Sequence, residues 1–266
     1  MMLLPRLFTT WLMLTSLPLW AAPPAQNSVS NSDQPGWQFE FGSASLFRQA
    51  PWQNGSGDAL SVPTIAARRG NWRFGLDYGL VSYFLQWQST SLNIGLGVRD
   101  ETINSTVWGD SDDPKLREFK DGGAELTANL GLQWGLLSLT ADQDISGQSD
   151  GLTVTSHLAL PFFKGAGEYA PRAQWLVGAR WMDENYSNHL LGVSARQANQ
   201  DFAEFHAQQS VNPQLGIQFM WPIDPQWLIR LRWHREWLDN KLRKSPLAER
   251  NSSQFAALTF TYRFSE

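Results

Sequence analysis

Period-two alternation runs through most of this chain, and the two faces it defines differ in kind: one is apolar, the other polar and partly charged. The late segment shows this best, with Trp227, Ile229, Leu231 and Trp233 alternating with Leu228, Arg230, Arg232 and His234. Earlier, Leu92, Ile94, Leu96 and Val98 stand against Asn93, Gly95, Gly97 and Arg99. Leu126, Ala128, Leu130, Leu132 and Trp134 likewise oppose Glu125, Thr127, Asn129, Gly131 and Gln133. Successive side chains of a strand project to opposite faces, so this is a strand signal and not a helical one. A soluble sandwich or a lipocalin-like barrel alternates too, but two properties separate the readings. Many runs here are about nine to eleven residues long, the length a tilted strand needs to cross a bilayer. The second face would ruin a dry sandwich core, yet it suits a hydrated lumen. The pattern therefore predicts an all-β fold, a transmembrane antiparallel up-and-down β-barrel of about twelve strands.

Strands read near 37–48, 59–69, 71–77, 80–88, 91–99, 123–134, 135–143, 151–161, 172–182, 212–221, 226–238 and 254–264. An even number puts both chain ends on one side, the periplasmic one in bacterial barrels, where connections are short. Short turns fall at Arg69–Gly70–Asn71, Ser89–Thr90, Trp134–Gly135 and Pro222–Ile223–Asp224–Pro225. The longer segments 100–122, 183–211 and 239–253 all fall on the opposite side, and only 162–171 is long for a periplasmic turn. Under this threading Trp37, Trp72, Trp87, Trp134, Trp221 and Trp227 collect at the periplasmic strand ends, as an aromatic girdle at a membrane–water interface does. Their positions are independent of the strand count and its parity.

Composition agrees with a surface that does not face water. Fourteen tryptophans is a heavy load for 266 residues, and 17% charged residues falls below the roughly 25% of soluble domains. A net charge of -4 leaves no basic footprint for nucleic acid. The absence of cysteine excludes thiolate zinc sites, thiol catalysis, disulfides and lipoprotein processing together. Arg6, the apolar run Leu7 to Leu19, and Ala21, Ala22 and Ala25 form a signal peptide over about residues 1–22. Residues 23–36, rich in Pro, Ser, Asn and Gln, read as a flexible periplasmic leader, and 37–264 as the barrel of a Gram-negative outer-membrane protein.

Arg230, Arg232, His234 and Glu236 make an inward ladder on the eleventh strand, joined in the lumen by Arg99, Arg180, Glu40 and Glu125. Such a network serves either as an ion-selective constriction or as a salt-bridged plug. In a barrel of this bore, long side chains fill the interior, which favours the plug. Ser156 and His157 suggest the nucleophile and base of a lipase, but neighbours on a strand point to opposite faces and cannot bond directly. Asp110, Asp112 and Asp113 form an acidic loop with the makings of a Ca²⁺ site, although a solvated acidic loop is the commoner case; Asp142 and Asp144 take the same reading. No catalytic residue, metal ligand or cofactor is predicted.

On the closing strand Ala256, Leu258, Phe260, Tyr262 and Phe264 share one face. Alternating aromatics that end in Phe260, Tyr262 and Phe264 resemble the signal read by the barrel-assembly machinery. A wider resemblance rests on Ser61–Val62–Pro63 with Arg69–Gly70–Asn71–Trp72–Arg73–Phe74, and on Gly95–Leu96–Gly97–Val98–Arg99–Asp100 followed by Trp108–Gly109–Asp110. Tyr186 with Leu190–Leu191–Gly192–Val193, and Ser245–Pro246–Leu247 before Phe260–Thr261–Tyr262–Arg263–Phe264, complete it. In this succession the chain resembles the MipA/OmpV family of MltA-interacting outer-membrane proteins, departing at His189, Leu190 and Leu191, where the family tends to carry tyrosines. The resemblance implies no enzyme. It implies a scaffold in contact with outer-membrane lipid and lipopolysaccharide, holding a lytic murein transglycosylase near a penicillin-binding protein. A narrow channel is the alternative, and a lipid-modifying enzyme a more distant one.

Overall fold

The computed structural model describes residues 36–265 apart from 53–57, 76–78, 104, 106–107, 109–112 and 117–122. The predicted signal peptide, nearly all of the predicted leader, and Asp110 and Asp112 lie outside the described residues. The strands are β1 (Gln38–Gln49), β2 (Asp58–Arg69), β3 (Trp72–Gly75), β4 (Val81–Trp87), β5 (Thr90–Arg99) and β6 (Glu125–Trp134). The second half adds β7 (Leu137–Asp144), β8 (Leu152–Lys164), β9 (Arg172–Met182), β10 (Ser210–Pro222), β11 (Trp227–Trp237) and β12 (Ser252–Ser265). Each strand pairs antiparallel with its neighbours in sequence, and β1 pairs with β12 from Gln38↔Ser265 to Gln49↔Gln254, so the sheet closes as a twelve-stranded barrel. Closure leaves no free edge, as a structure without water to satisfy its backbone requires.

The alternation sorts as the sequence dictates. Ile65, Ile94, Leu130, Leu231 and Leu258 stand half-exposed on the outer wall, whereas Glu40, Asn93, Arg99, Glu125, Asn129, Gln218, Arg232 and Glu236 are buried inside. Three connections at one end are two-residue turns, at Gly70–Asn71, Gln88–Ser89 and Gly135–Leu136, the second one residue earlier and the third one residue later than the sequence suggests. Each turn has a positive φ at its first central residue, +53°, +46° and +55°, which matches hairpin connections to the right-handed twist of the strands. Glycine takes that conformation freely at two of them; Gln88 does not have that freedom.

The long apparent turn near 162–171 is shorter than the sequence suggests. β8 and β9 keep pairing to Lys164↔Arg172, past a register shift between Pro161 and Phe163, and leave only residues 165–171 unpaired. Proline has no N–H for the ladder, so an irregularity beside Pro161 is where pairing is most easily broken.

The opposite end is not loose. Connections after β1, β5, β9 and β11 fold over the mouth and share a hydrophobic core that includes Trp52, Leu116, Tyr186, Leu191, Phe202 and Leu242. Helix α1 (Glu184–Leu191) is its centrepiece, followed in the last of these loops by a one-turn 3-10 helix, Leu242–Lys244. No helix among the described residues is long and apolar enough to cross a membrane.

Candidate functional site: a polar lumen under a folded lid

The eight charged or titratable residues expected in the lumen divide by height. Near the turn end, Glu40 of β1 is the hub: Arg68 Nη2 donates to it at 2.6 Å, Arg263 Nε lies at 3.1 Å and Arg230 at 3.9 Å. Arg232 and His234 occupy the middle, with His157 and Gln214 beside them. Near the loop end, Arg99 donates to Glu125 and, at 3.2 Å, to Thr153 Oγ1 across two intervening strands. Arg180 pairs with Glu236 at 3.0 Å, and Asn212 and Gln214 each donate to the same carboxylate at 2.6 Å. Glu40, Glu125 and Glu236 are thus each met by a guanidinium or amide, the condition for burying such charge at tolerable cost.

Sequence reasoning did not single out Glu101, nor assign Tyr186 and His189 to the lumen, yet these groups join the network to the lid. Glu101, just past β5, accepts from Arg180 at 2.7 Å and from the Tyr186 hydroxyl at 2.7 Å. The Tyr186 ring also sits 3.8 Å from the Arg99 guanidinium carbon, a cation–π contact. His189 on the same helix comes within 3.5 Å of Glu125. Burial alone would raise the Glu101 carboxyl, but Arg180, the Tyr186 hydroxyl and Arg99 outweigh it and hold the group down to about 2. Burial, with Glu101 adding to it, pushes the Tyr186 phenol up. Periodicity gives no access to loop residues such as Glu101. Arg68 and Arg263, by contrast, continue the inward registers of β2 and β12 and were findable by alternation.

Helix α1 is held as firmly as it is placed. Asp183 caps it by accepting from Tyr186 N at 2.8 Å, and its other oxygen takes Leu152 N at 3.0 Å, tying the helix start to β8. Asn188 exchanges two hydrogen bonds with the backbone of Ala207, at 2.9 and 2.7 Å, and Ser245 Oγ donates to the carbonyl of Leu191 at 2.6 Å. On the other side of the mouth, Trp108 dips against Ala44, Leu46, Phe255 and Ala257, and Arg48 lies between the rings of Trp52 and Trp108. Described residues thus pack over the mouth from two sides.

The chemistry of the remaining candidates is structural. His157 faces the lumen while Ser156 donates to the carbonyl of Ala179 at 3.3 Å, so the two do not form a nucleophile–base pair. Asp144 accepts from Ser146, Ser149 and Asp150 and organises the loop between β7 and β8. Asp113 accepts from Lys115 N. Among the described residues no three His, Asp or Glu converge in a group able to hold a metal ion.

Of the tryptophans singled out from sequence, Trp72, Trp87, Trp134, Trp221 and Trp227 stand at turn-end strand termini, and Trp37 just before β1 stacks on Phe39 and packs at a tilt against Phe74. Phe264 stacks on Phe39 and Phe41 across the closing seam, and Phe260 and Tyr262 flank Trp227 on the same outer wall.

The sequence model of one protein family, described as MltA-interacting protein MipA, matches residues 41–264. Outer membrane protein Omp26La of Vibrio anguillarum is 24% identical over 139 residues, covering 52% of this chain and 52% of that protein, so the match spans about half of each. Among solved structures, an outer-membrane channel of Pseudomonas putida F1 is similar with 12% identity and a TM-score of 0.38, covering 86% of this chain and 96% of that one. The N-terminal β-barrel domain of Pseudomonas aeruginosa OprF matches with 10% identity and a TM-score of 0.26, over 85% and 97%. With its closed barrel and apolar outer wall, the protein resides in the outer membrane, its turn end toward the periplasm.

Proposed function

The chain belongs to the MltA-interacting protein MipA family, and on that premise we propose that it is a non-enzymatic scaffold which holds a lytic murein transglycosylase, together with a penicillin-binding protein, at the inner surface of the outer membrane. The observation that carries this reading is the closed outer end. A lumen cross-linked by Arg99–Glu125 and Arg180–Glu236, under a lid with its own apolar core, is built to stay shut and not to pass solute. What such a barrel still offers is its periplasmic rim.

That rim has one projecting feature. β8 and β9 carry the chain beyond the two-residue turns, and there Phe162, Phe163 and Tyr169 are exposed beside Lys164 and Arg172. Aromatic side chains next to Arg and Lys are the mix enriched at protein interfaces. The predicted leader adds a second periplasmic segment. A photocrosslinking residue at Tyr169 in living cells tests the proposal directly: a murein hydrolase or synthase should be trapped there and not at Ser146 on the outer side. Recovery of neither enzyme from Tyr169, nor by co-purification with crosslinker, rejects it.

A further inference from the structure

Arg235 breaks the pattern of its strand. It follows Trp227, Ile229, Leu231 and Trp233 on the outward register of β11, yet it is a cation on the wall that faces lipid below it. Gln49 continues the register of half-exposed Phe47, and Gln254 and Ser252 continue that of half-exposed Leu258. All four therefore sit on the outer wall at the outer end of the β11–β12–β1 seam. They line an open hollow of about 450 Å³, together with Arg250 and Glu249 from the loop after β11.

The hollow is built, not incidental. Glu249 N and Arg250 N both donate to the carbonyl of Pro51, at 3.0 and 2.9 Å, which fixes the loop to the chain leaving β1. Gln254 Nε2 donates to Gln49 Oε1 at 3.0 Å, and Gln254 Oε1 accepts from Trp233 Nε1 at 3.3 Å. Arg235 donates to Ser252 Oγ at 3.0 Å, with its guanidinium 5.4 Å from the Trp237 ring. The setting is basic although the chain is acidic: Lys241, Arg243 and Lys244 are exposed on the same loop, against Asp239 and Glu249.

Height identifies the ligand. From Trp227 at the periplasmic edge to Arg235 is eight residues of strand, about 26 Å at 3.3 Å per residue. A tilt of about 40° reduces this to a rise of about 20 Å, most of an apolar band about 25 Å tall, so Arg235 nears the band's outer border and the loop carrying Glu249 and Arg250 continues beyond it. The hollow therefore lies at the level of the outer-leaflet headgroups. We infer that it seats a phosphate of a phosphorylated outer-leaflet glycolipid, with the Arg235 and Arg250 guanidiniums on the phosphate and the Gln49 and Gln254 amides on sugar hydroxyls. Guanidinium pairs with phosphate in a fixed fork geometry, and an aromatic ring beside it suits the face of a sugar. The inference uses only residence in the outer membrane and is independent of murein binding.

The test is native mass spectrometry of the detergent-purified, delipidated barrel, titrated with bisphosphorylated lipid A, with dephosphorylated lipid A and with inorganic phosphate. Wild type should retain bisphosphorylated lipid A, and the Arg235→Ala/Arg250→Ala variant should bind it about ten-fold more weakly, while Arg235→Lys/Arg250→Lys keeps most of the affinity. Should the alanine variant lose the heat-modifiable mobility of a folded barrel, Gln49→Glu provides the same reading by placing a repelling charge in the hollow. Equal binding by wild type and these variants overturns the inference. So does equal binding of dephosphorylated lipid A, and so does inorganic phosphate competing as well as lipid A, which would make the site one for a free anion.

Discussion

Glu101 has more influence on the lid than its place in a loop suggests. It accepts from Arg180 of the wall and from Tyr186 of α1, so one carboxylate couples the rigid barrel to the part that covers it. Its folded-state pKa of about 2 lies below the ordinary 4.5, so the stabilisation it gives is complete above about pH 4.5 and is lost as pH falls toward 2. The lid should therefore loosen in that window while the barrel stays closed, and proteolysis of residues 183–209 at graded acid pH will show it. In Tyr186→Phe the hydroxyl donor is gone and Arg180 remains, so the Glu101 carboxyl is held down less and the loosening should be complete at a higher pH; an unchanged profile would assign the transition to other groups. A second residue under local strain is Gln88, at φ +46° in a two-residue turn. Gln88→Gly should raise stability by up to about 1 kcal/mol in a urea titration of the lipid-embedded barrel, because an L-residue in the left-handed region costs roughly that much. Neither residue was legible in the sequence, since a loop carboxylate has no periodicity and a turn shows its φ only once it is folded.

Elements were legible where they face two media. A strand with lipid on one side and a wet lumen on the other writes both into its sequence, so β5, β6, β10 and β11 could be read to within about two residues at either end. β3 carries four described residues, too few positions to show a pattern, and the end of the expected strand over 71–77 lies outside the described residues. Helix α1 lies within the segment 183–211 that the pattern reads as a loop, because eight residues with Tyr186, Ser187, Leu190 and Leu191 buried make barely two turns of amphipathic signal. In retrospect, Asp183 as N-cap was the available clue. The seating of α1 is tight: a Cβ at Gly151 would stand 2.6 Å from Tyr186 Cβ and 2.7 Å from its backbone nitrogen. Gly151→Ala should push the first turn of the helix away, at a cost of about 1–3 kcal/mol to the lid. Hydrogen exchange should quicken across residues 184–191 and leave the amides of β8 and β9 as slow as before. Equal exchange in α1 would show that the loop yields and the helix does not.

At the scale of the whole molecule the barrel has two closures in series, and they answer to different forces. The lid is held mainly by apolar burial, with Phe202, Leu191 and Leu242 almost wholly enclosed. The lumen below it is held by ion pairs and amides. Removing one closure leaves the other. Phe202→Ala empties part of the lid core, a loss of about 3–5 kcal/mol concentrated in loops that have little else to hold them. The pore beneath should nonetheless stay blocked, because Arg99, Arg180 and Arg232 still fill it. Planar-bilayer recordings should accordingly be silent for wild type and for Phe202→Ala. Adding Arg180→Ala and Arg232→Ala to the lid variant removes two of these three cations and leaves Glu101 and Glu236 without their Arg180 partner in the upper lumen, so that steps should appear and favour cations. Steady large steps from the unmodified protein would contradict both closures at once, and with them the proposal that its working surface is the periplasmic rim.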